Sequence, residues 1–215
     1  MRGAMDALLV AVILSNLGML GTSRLRNGIR LVAVQGLGLS LLPFLARGDL
    51  ALRTLFLAVG TAVLKGAVFP ALLLRSLRDV ETRREAGPYL GPLASLLLGA
   101  GWLSVGLWLD ARLPLPPGLS TGSTLVVPVA FATLLTGLLL IVTRRQAVSQ
   151  VVGYLVMENG IYFFGVALVR DGPFLVEMGI LLDVFVAVFI MGIAIFRISQ
   201  TFESIDTEHL TELRE

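Results

Sequence analysis

The chain has 215 residues, of which 56% are hydrophobic and 15% are charged, whereas soluble globular domains are about 45–50% apolar. Its 17 basic residues leave a formal net charge of +2, and they lie in short runs between apolar stretches, which indicates membrane topology and not a nucleic-acid-binding surface. The absence of cysteine and the single histidine exclude, for this chain alone, cysteine-ligated iron–sulfur clusters, structural zinc sites and histidine-ligated haem within the membrane. We therefore expect neither a metal nor another cofactor.

Seven apolar segments approach or exceed the length of about 20 residues that crosses a bilayer. They cover residues 4–22, 28–46, 51–74, 89–109, 121–143, 149–169 and 174–196. The first follows Arg2 without a small-residue cleavage site, so we expect a retained helix and not a signal peptide. The second is slightly short and contains Pro43. The pattern predicts an all-α fold, a polytopic membrane helical bundle of about seven transmembrane helices.

The basic residues are distributed unevenly between the two ends of these segments. With the N-terminus outside, the inner side holds Arg24, Arg26, Arg30, Arg75, Arg78, Arg83, Arg84, Arg144, Arg145, Arg197 and Arg214. The outer side then holds only Arg2, Arg47, Arg53, Arg112 and Arg170. Because cytoplasmic loops carry the excess of arginine and lysine, this predicts an N-out/C-in multi-pass protein of the cytoplasmic (inner) membrane.

Loops and composition divide the chain into four parts. Residues 1–88 form an N-terminal three-helix membrane unit with a charged cytoplasmic loop, and residues 89–120 form a connecting fourth helix with a proline-rich outer loop. Residues 121–198 form a second three-helix unit, and residues 199–215 form a polar cytoplasmic tail. A shift of 123 residues places Gln35 opposite Glu158 and Lys65 opposite Val188, which suggests that the two three-helix units are diverged copies.

The last two apolar segments each carry a carboxylate near the middle, Glu158 in one and Asp183 in the other. Both lie about 18–20 Å along the helix axis from the turn at Asp171. Such a group in a membrane is normally paired, hydrated or functional. Burial and a second nearby carboxylate favour the protonated acid, so either group is a candidate for a proton relay. The alternative is a structural pairing with Lys65, an arginine or the backbone of a neighbouring helix.

Lys65 is the only lysine of the chain, and it lies inside the third apolar segment. A buried ammonium group loses its proton readily and a guanidinium group does not, so a lysine at this position suits a titrating role. The alternative is a lysine that extends to the inner interface, but Arg75 marks that interface about 15 Å away along the helix axis, which is more than the side chain spans.

Six further residues accompany these candidates. Tyr162 lies one helical turn beyond Glu158 and is placed to hydrogen-bond it. Glu177 lies one turn inside the last segment, where it is either a relay member or a hydrated interfacial carboxylate. The pair Asn159-Gly160 combines a weak helix former with glycine and suggests a local break or hinge. The neutral Gln35 and Asn16 are most simply explained as hydrogen-bonding residues between helices.

Three sequence stretches resemble known families of membrane subunits. The segment GYLVMENGIYFF around Glu158 and the ending IDTEHLTELRE are similar to the K-type subunit of respiratory complex I and the C subunit of Mrp-type antiporters. The segment SRLRNGIRLVAVQGLGLSLLP resembles the opening of the hydrogenase-4 component E family, the K-like membrane subunits of group 4 hydrogenases and formate hydrogenlyases.

The resemblance implies a membrane subunit that is not itself catalytic and has no redox centre. It contributes to proton or Na⁺ translocation that is coupled to electron transfer in partner subunits. The implied partners are antiporter-like membrane subunits, a quinone-site-like membrane anchor subunit and a peripheral hydrogenase arm, within the lipid bilayer and without nucleic acid. The family's second glutamate falls near Val188, where this chain offers Asp183 or Glu177 instead.

Two other functions are compatible with the sequence. One is a structural adaptor that packs antiporter-like subunits and uses its polar residues only to fix helix register. The other is an independent small-solute transporter, which is weakened by the lack of a substrate-sized polar cluster and of a pair of strongly broken helices.

Overall fold

The computed structural model describes residues 2–22, 24–47, 52–78, 89–112, 123–168 and 192. Every regular element in these ranges is helical and none is a strand, which confirms the all-α fold. The elements are α1 (Arg2–Gly21), α2 (Leu25–Arg47), α3 (Leu52–Val63), a π-helical segment (Leu64–Val68), α4 (Phe69–Arg78), α5 (Pro92–Arg112), α6 (Val126–Thr143) and α7 (Ala147–Leu168). Residues 52–78 thus form one continuous helix with a π turn inside it.

The helices follow the predicted apolar segments closely. α2 begins at Leu25 and continues past Pro43 to Arg47, so it is a few residues longer than the predicted segment 28–46. The last predicted segment, 174–196, lies outside the described residues except for residue 192, and Asp183 and Glu177 lie outside them too. Among the described residues, four helical stretches are long and apolar enough to cross a membrane: Gly3–Gly21, Ala58–Arg75, Pro92–Arg112 and Val126–Thr143. The chain is therefore a multi-pass membrane protein.

α6 and α7 form a close helical hairpin in which glycine permits direct backbone contact. A Cβ atom at Gly153 would lie 2.8 Å from the backbone nitrogen of Ile141, and one at Gly160 would overlap the backbone of Leu134. Close approach of this kind is how helices pack in lipid, where apolar burial gives no driving force between them. α7 is uninterrupted through Asn159 and Gly160, so the predicted break is not seen there and Gly160 has a packing role.

Buried apolar side chains form two clusters that are stacked along the helices. The first cluster includes residues from the halves of α1, α2, α6 and α7 that lie nearer the α1–α2 and α6–α7 turns. We name it the turn-side cluster. It contains Met19, Leu20, Leu25, Ile29, Val32, Phe69, Leu73, Leu77, Leu140, Val148, Val151, Val152, Leu155 and Val156. The second, the far-side cluster, contains Met5, Leu9, Val12, Leu39, Leu42, Val126, Val127, Val129, Ala130 and Phe163. Between the two clusters each helix carries buried polar residues.

Arg144 in the α6–α7 turn joins the turn side of the bundle. Its Nη2 donates to the carbonyl oxygen of Thr22 at 2.8 Å, directly after α1, where the helix dipole favours a cation. Burial lowers the pKa of Arg144 from its ordinary value because desolvation disfavours the charged form. Nearby, the backbone N–H of Tyr89 donates to the carbonyl of Thr143, and the Arg145 guanidinium lies 4.0 Å from the centre of the Tyr89 ring. The end of α1, the approach to α5 and the α6–α7 turn therefore lie together.

Candidate functional site

The centre of the bundle holds an ion pair between Lys65 and Glu158. Lys65 Nζ lies 2.6 Å from Glu158 Oε1, and their side chains are 6% and 3% exposed. The pair lies between the turn-side and far-side clusters, since Glu158 follows Val156 of the first and precedes Phe163 of the second on α7. Two opposite charges thus compensate each other at mid-height of the bundle, where neither reaches water along its own helix.

The π-helical segment presents Lys65 to α7. The backbone N–H of Phe69 donates to the carbonyl of Leu64, five residues earlier, and Pro70 has no N–H to donate at all. One extra residue in the turn rotates the helix face on which Lys65 lies. α2 comes close at the same level because residue 36 is glycine: a Cβ there would lie 2.9 Å from the carbonyl carbon of Lys65.

Asn159, beside Glu158 on α7, extends the site to α2. Lys65 Nζ lies 3.4 Å from Asn159 Oδ1, at the long end for a hydrogen bond. Asn159 Nδ2 donates in turn to Gln35 Oε1 at 3.3 Å. Both amide side chains are 2% exposed, so their polar atoms are satisfied by protein partners within the bundle.

The same chain of hydrogen bonds continues to α1 and α6. Gln35 Nε2 donates to Asn16 Oδ1 at 2.7 Å, and Asn16 Nδ2 donates to Thr133 Oγ1 at 2.8 Å. Thr133 Oγ1 donates to the carbonyl oxygen of Val129 at 2.6 Å, one turn earlier in α6. We name the whole set the polar layer: Asn16, Gln35, Lys65, Thr133, Glu158 and Asn159.

Tyr162 lies at the edge of the polar layer. Its ring centre is 5.8 Å from Lys65 Nζ, within the range of a cation–π contact. The ring also packs against the far-side cluster, so it separates the ion pair from the apolar residues on that side. Tyr154, one turn from Glu158 in the other direction, is partly exposed on α7. The two tyrosines and Glu158 therefore follow one stripe of α7 at four-residue spacing.

The structure brings together most of the predicted site residues. Lys65, Glu158, Asn159 and Tyr162 meet in the polar layer, and Gly160 supports it by packing. Asp183 and Glu177 lie outside the described residues, so the expected pairing of two carboxylates stays a prediction. Within the described ranges Glu158 faces a cation instead, which is the pairing that the sequence offered as an alternative.

Some members of the polar layer were undervalued or missed by sequence reasoning. Asn16 and Gln35 were expected to join helices, which they do, but as links in a chain that ends at Lys65. Thr133 was missed, because it is one of three threonines in an apolar helix and nothing in one sequence distinguishes it from the other two. The π turn was missed as well, although Gly66 and Pro70 close to a membrane lysine were the available clue.

The polar layer combines one buried ammonium–carboxylate pair with neutral amide and hydroxyl groups. In the described ranges no group of three or more histidine, cysteine, aspartate or glutamate residues is placed to hold a metal ion. The amides and hydroxyl groups around the ion pair hold the two charged groups in place.

The chain is similar to several known proteins. Residues 125–215 match the family described as NADH-ubiquinone/plastoquinone oxidoreductase chain 4L. An uncharacterized protein of Mycobacterium tuberculosis is 37% identical over 89% of this chain and 87% of the relative. Hydrogenase-4 component E of Escherichia coli and that of Shigella flexneri are each 31% identical over 71% of this chain and 69% of the relative. No solved structure matches significantly.

Proposed function

Since the chain belongs to the hydrogenase-4 component E family and is a membrane subunit of a complex I-related assembly, we propose that it serves a group 4 hydrogenase or formate hydrogenlyase-type complex. Its part is to carry protons, or Na⁺, in a step coupled to electron transfer in partner subunits. The observation that carries this proposal is the Lys65–Glu158 pair, 2.6 Å apart and buried at mid-height of the bundle.

The two apolar clusters support a path in the plane of the membrane. Residues of the turn-side and far-side clusters cover the polar layer above and below on α1, α2, α6 and α7. A proton that crossed the bundle directly would have to pass one of these apolar layers. A path along the polar layer, from helix to helix, avoids that cost. Protons would then pass laterally between this chain and its neighbours.

The proposed assembly places this chain between other membrane subunits. We propose seven transmembrane helices, N-out/C-in, in the cytoplasmic membrane, with the polar tail 199–215 inside. The partners are antiporter-like subunits, a quinone-site-like membrane anchor and a peripheral hydrogenase arm. Asp183 or Glu177 would continue the relay beyond Glu158. The common location of the α1 end and the arginine-bearing α6–α7 turn supports this orientation.

The test is substitution within the assembled complex. Glu158→Gln keeps the shape of the side chain and removes its titration, and Asp110→Asn is the matched control on α5, away from the polar layer. Proton transfer per electron is measured in proteoliposomes that contain the complete complex. The proposal predicts a loss of most proton transfer for E158Q, with D110N like the wild type. Unchanged proton transfer in E158Q would refute it.

A second candidate function is that of a structural adaptor. The observation in its favour is that the polar layer joins α1, α2, α6, α7 and the π-helical segment by side-chain hydrogen bonds, as a purely structural network would. In that case E158Q lowers the amount or thermal stability of the assembled complex and leaves the proton-to-electron ratio of the remaining complex unchanged. The same proteoliposomes therefore distinguish the two functions.

A further inference from the structure

We infer that Thr133, Asn16 and Gln35 are positioning residues that act on Lys65 through a one-way chain of hydrogen bonds ending at Asn159. None of the three forms a hydrogen bond with the ion pair, yet together they help to hold the oxygen of Asn159 towards the ammonium group. The inference rests on the proposed function for the role of Lys65 and adds to it the residues that hold this lysine facing Glu158.

The direction of the chain is fixed at its Thr133 end. A hydroxyl group has one hydrogen to donate, and that of Thr133 goes to the carbonyl oxygen of Val129 at 2.6 Å. At its contact with Asn16, 2.8 Å long, Thr133 Oγ1 must therefore accept. Thr133 is 0% exposed, so bulk water offers its hydroxyl no other arrangement. The amide nitrogen of Asn16, and not its oxygen, has to face Thr133.

The same requirement passes along the chain. With its nitrogen on Thr133, Asn16 presents its oxygen to Gln35, which must donate from nitrogen at 2.7 Å. Gln35 then presents its oxygen to Asn159, which donates at 3.3 Å. Asn159 is left with its oxygen towards Lys65.

The Lys65 end imposes the same direction independently. An ammonium group has three hydrogens and no lone pair, so it can only donate. It faces Glu158 Oε1 and Asn159 Oδ1, both of them acceptors, and the ring of Tyr162. On the α2 side Gly36 brings no charge. The two ends of the chain thus agree, and no amide in between is free to turn over without losing a hydrogen bond.

The consequence is an aligned row of amide dipoles with each oxygen on the Lys65 side. Hydrogen bonds to a charged group are stronger than neutral ones, and aligned bonds reinforce one another. The row therefore holds the Asn159 oxygen as a second acceptor for the ammonium group beside Glu158. Removal of the acceptor at Thr133 would release Asn16, and a reversed chain would turn an amide N–H towards the ammonium group.

The experiment compares Thr133→Val with Thr133→Ser in two backgrounds of the assembled complex. Valine has the shape of threonine without the hydroxyl, and serine retains the hydroxyl. One background is wild type, and the other is the double variant K65M/E158Q, which removes both charges together and leaves no lone buried ion. The readout is the thermal unfolding midpoint of this subunit within the purified complex, because interacting groups give non-additive effects.

In the wild-type background T133V is expected to lower the midpoint by about 3–6 °C and T133S by less than about 2 °C. In the K65M/E158Q background the effect of T133V should fall to less than half. An equal effect in both backgrounds would overturn the inference, since Thr133 would then only join α1 to α6. If T133V prevents assembly, the amount of assembled complex becomes the readout: rescue by K65M/E158Q supports the inference, and failure in both backgrounds overturns it.

This result is independent of the test of the proposed function. Normal proton transfer by E158Q would end the relay proposal, while a smaller T133V effect in the K65M/E158Q background would still establish the chain. Conversely, E158Q could lose proton transfer while T133V has the same effect in both backgrounds. That combination would support the proton relay and overturn the inference about the hydrogen-bond chain.

Discussion

Lys65→Met removes the ammonium group and leaves the Glu158 carboxylate, whose side chain is 3% exposed, in the centre of the bundle. Methionine fills a similar volume, so the change isolates the loss of charge from the loss of packing. The variant removes the ammonium group that lies 2.6 Å from this carboxylate. The variant therefore measures how strongly the structure depends on this pairing.

The magnitude follows from the burial of the pair. Removal of one partner of a buried ion pair costs about 3–5 kcal/mol, because the remaining charge is uncompensated. For a chain of this size that is a fall of roughly 6–20 °C in the unfolding midpoint. The double variant K65M/E158Q has no lone charge, and replacement of a whole buried pair by neutral groups is often nearly neutral. It should regain most of the loss.

The assay is thermal unfolding of the purified complex for wild type, K65M and K65M/E158Q. The reasoning is refuted if K65M is as stable as K65M/E158Q.

Three further predictions concern the frame around the site. Gly36→Ala should reduce assembly by the equivalent of about 1–3 kcal/mol, since its Cβ would meet the backbone of the π-helical segment; Gly101→Ala, with nothing within 4 Å, is the control and should assemble normally. Because the chain has no cysteine, Gln146→Cys should react with an impermeant maleimide only from the cytoplasmic side, and reaction only from outside would reverse the proposed orientation. Arg144→Gln should cost about 1 kcal/mol of thermal stability through lost hydrogen bonds at the end of α1, and more than Arg145→Gln, which loses only a ring contact.

Hydropathy alone identifies the helices and the charged residues within them. Glu158 and Lys65 stand out because ionisable groups are rare in apolar segments of this length. The helix bounds also follow, apart from a few residues at each end. These features depend only on the residues within each segment, so one sequence is enough to predict them.

The pairing of these residues does not follow from one sequence, because it depends on which faces of the helices meet. Successive residues point about 100° apart around the helix axis. An error of one position in the assumed rotation of a helix therefore turns Lys65 away from Glu158. The π turn at Leu64–Val68 adds such a rotation. Thr133 is missed for a related reason: its role is defined by Asn16, 117 positions away in sequence.

The role of a glycine likewise depends on tertiary contacts that its neighbours in sequence do not reveal. Gly160 beside Glu158 and Asn159 suggested a hinge by its local propensity. In the structure it lies against the backbone of Leu134, so its smallness serves a helix contact. The irregular turn is instead the π-helical segment Leu64–Val68, which contains Gly66. Pro70, just after it, has no backbone N–H to donate.

The most direct test of the central claim is the protonation of Glu158 during turnover. Infrared difference spectra of the assembled complex, recorded as electron donor is added, detect a carboxyl group that gains or loses its proton. The relay account predicts a carboxylic acid band that changes with turnover in the wild type and in D110N and is missing from E158Q. An identical difference spectrum in the wild type and E158Q would contradict the account, because the buried pair would then keep its proton throughout.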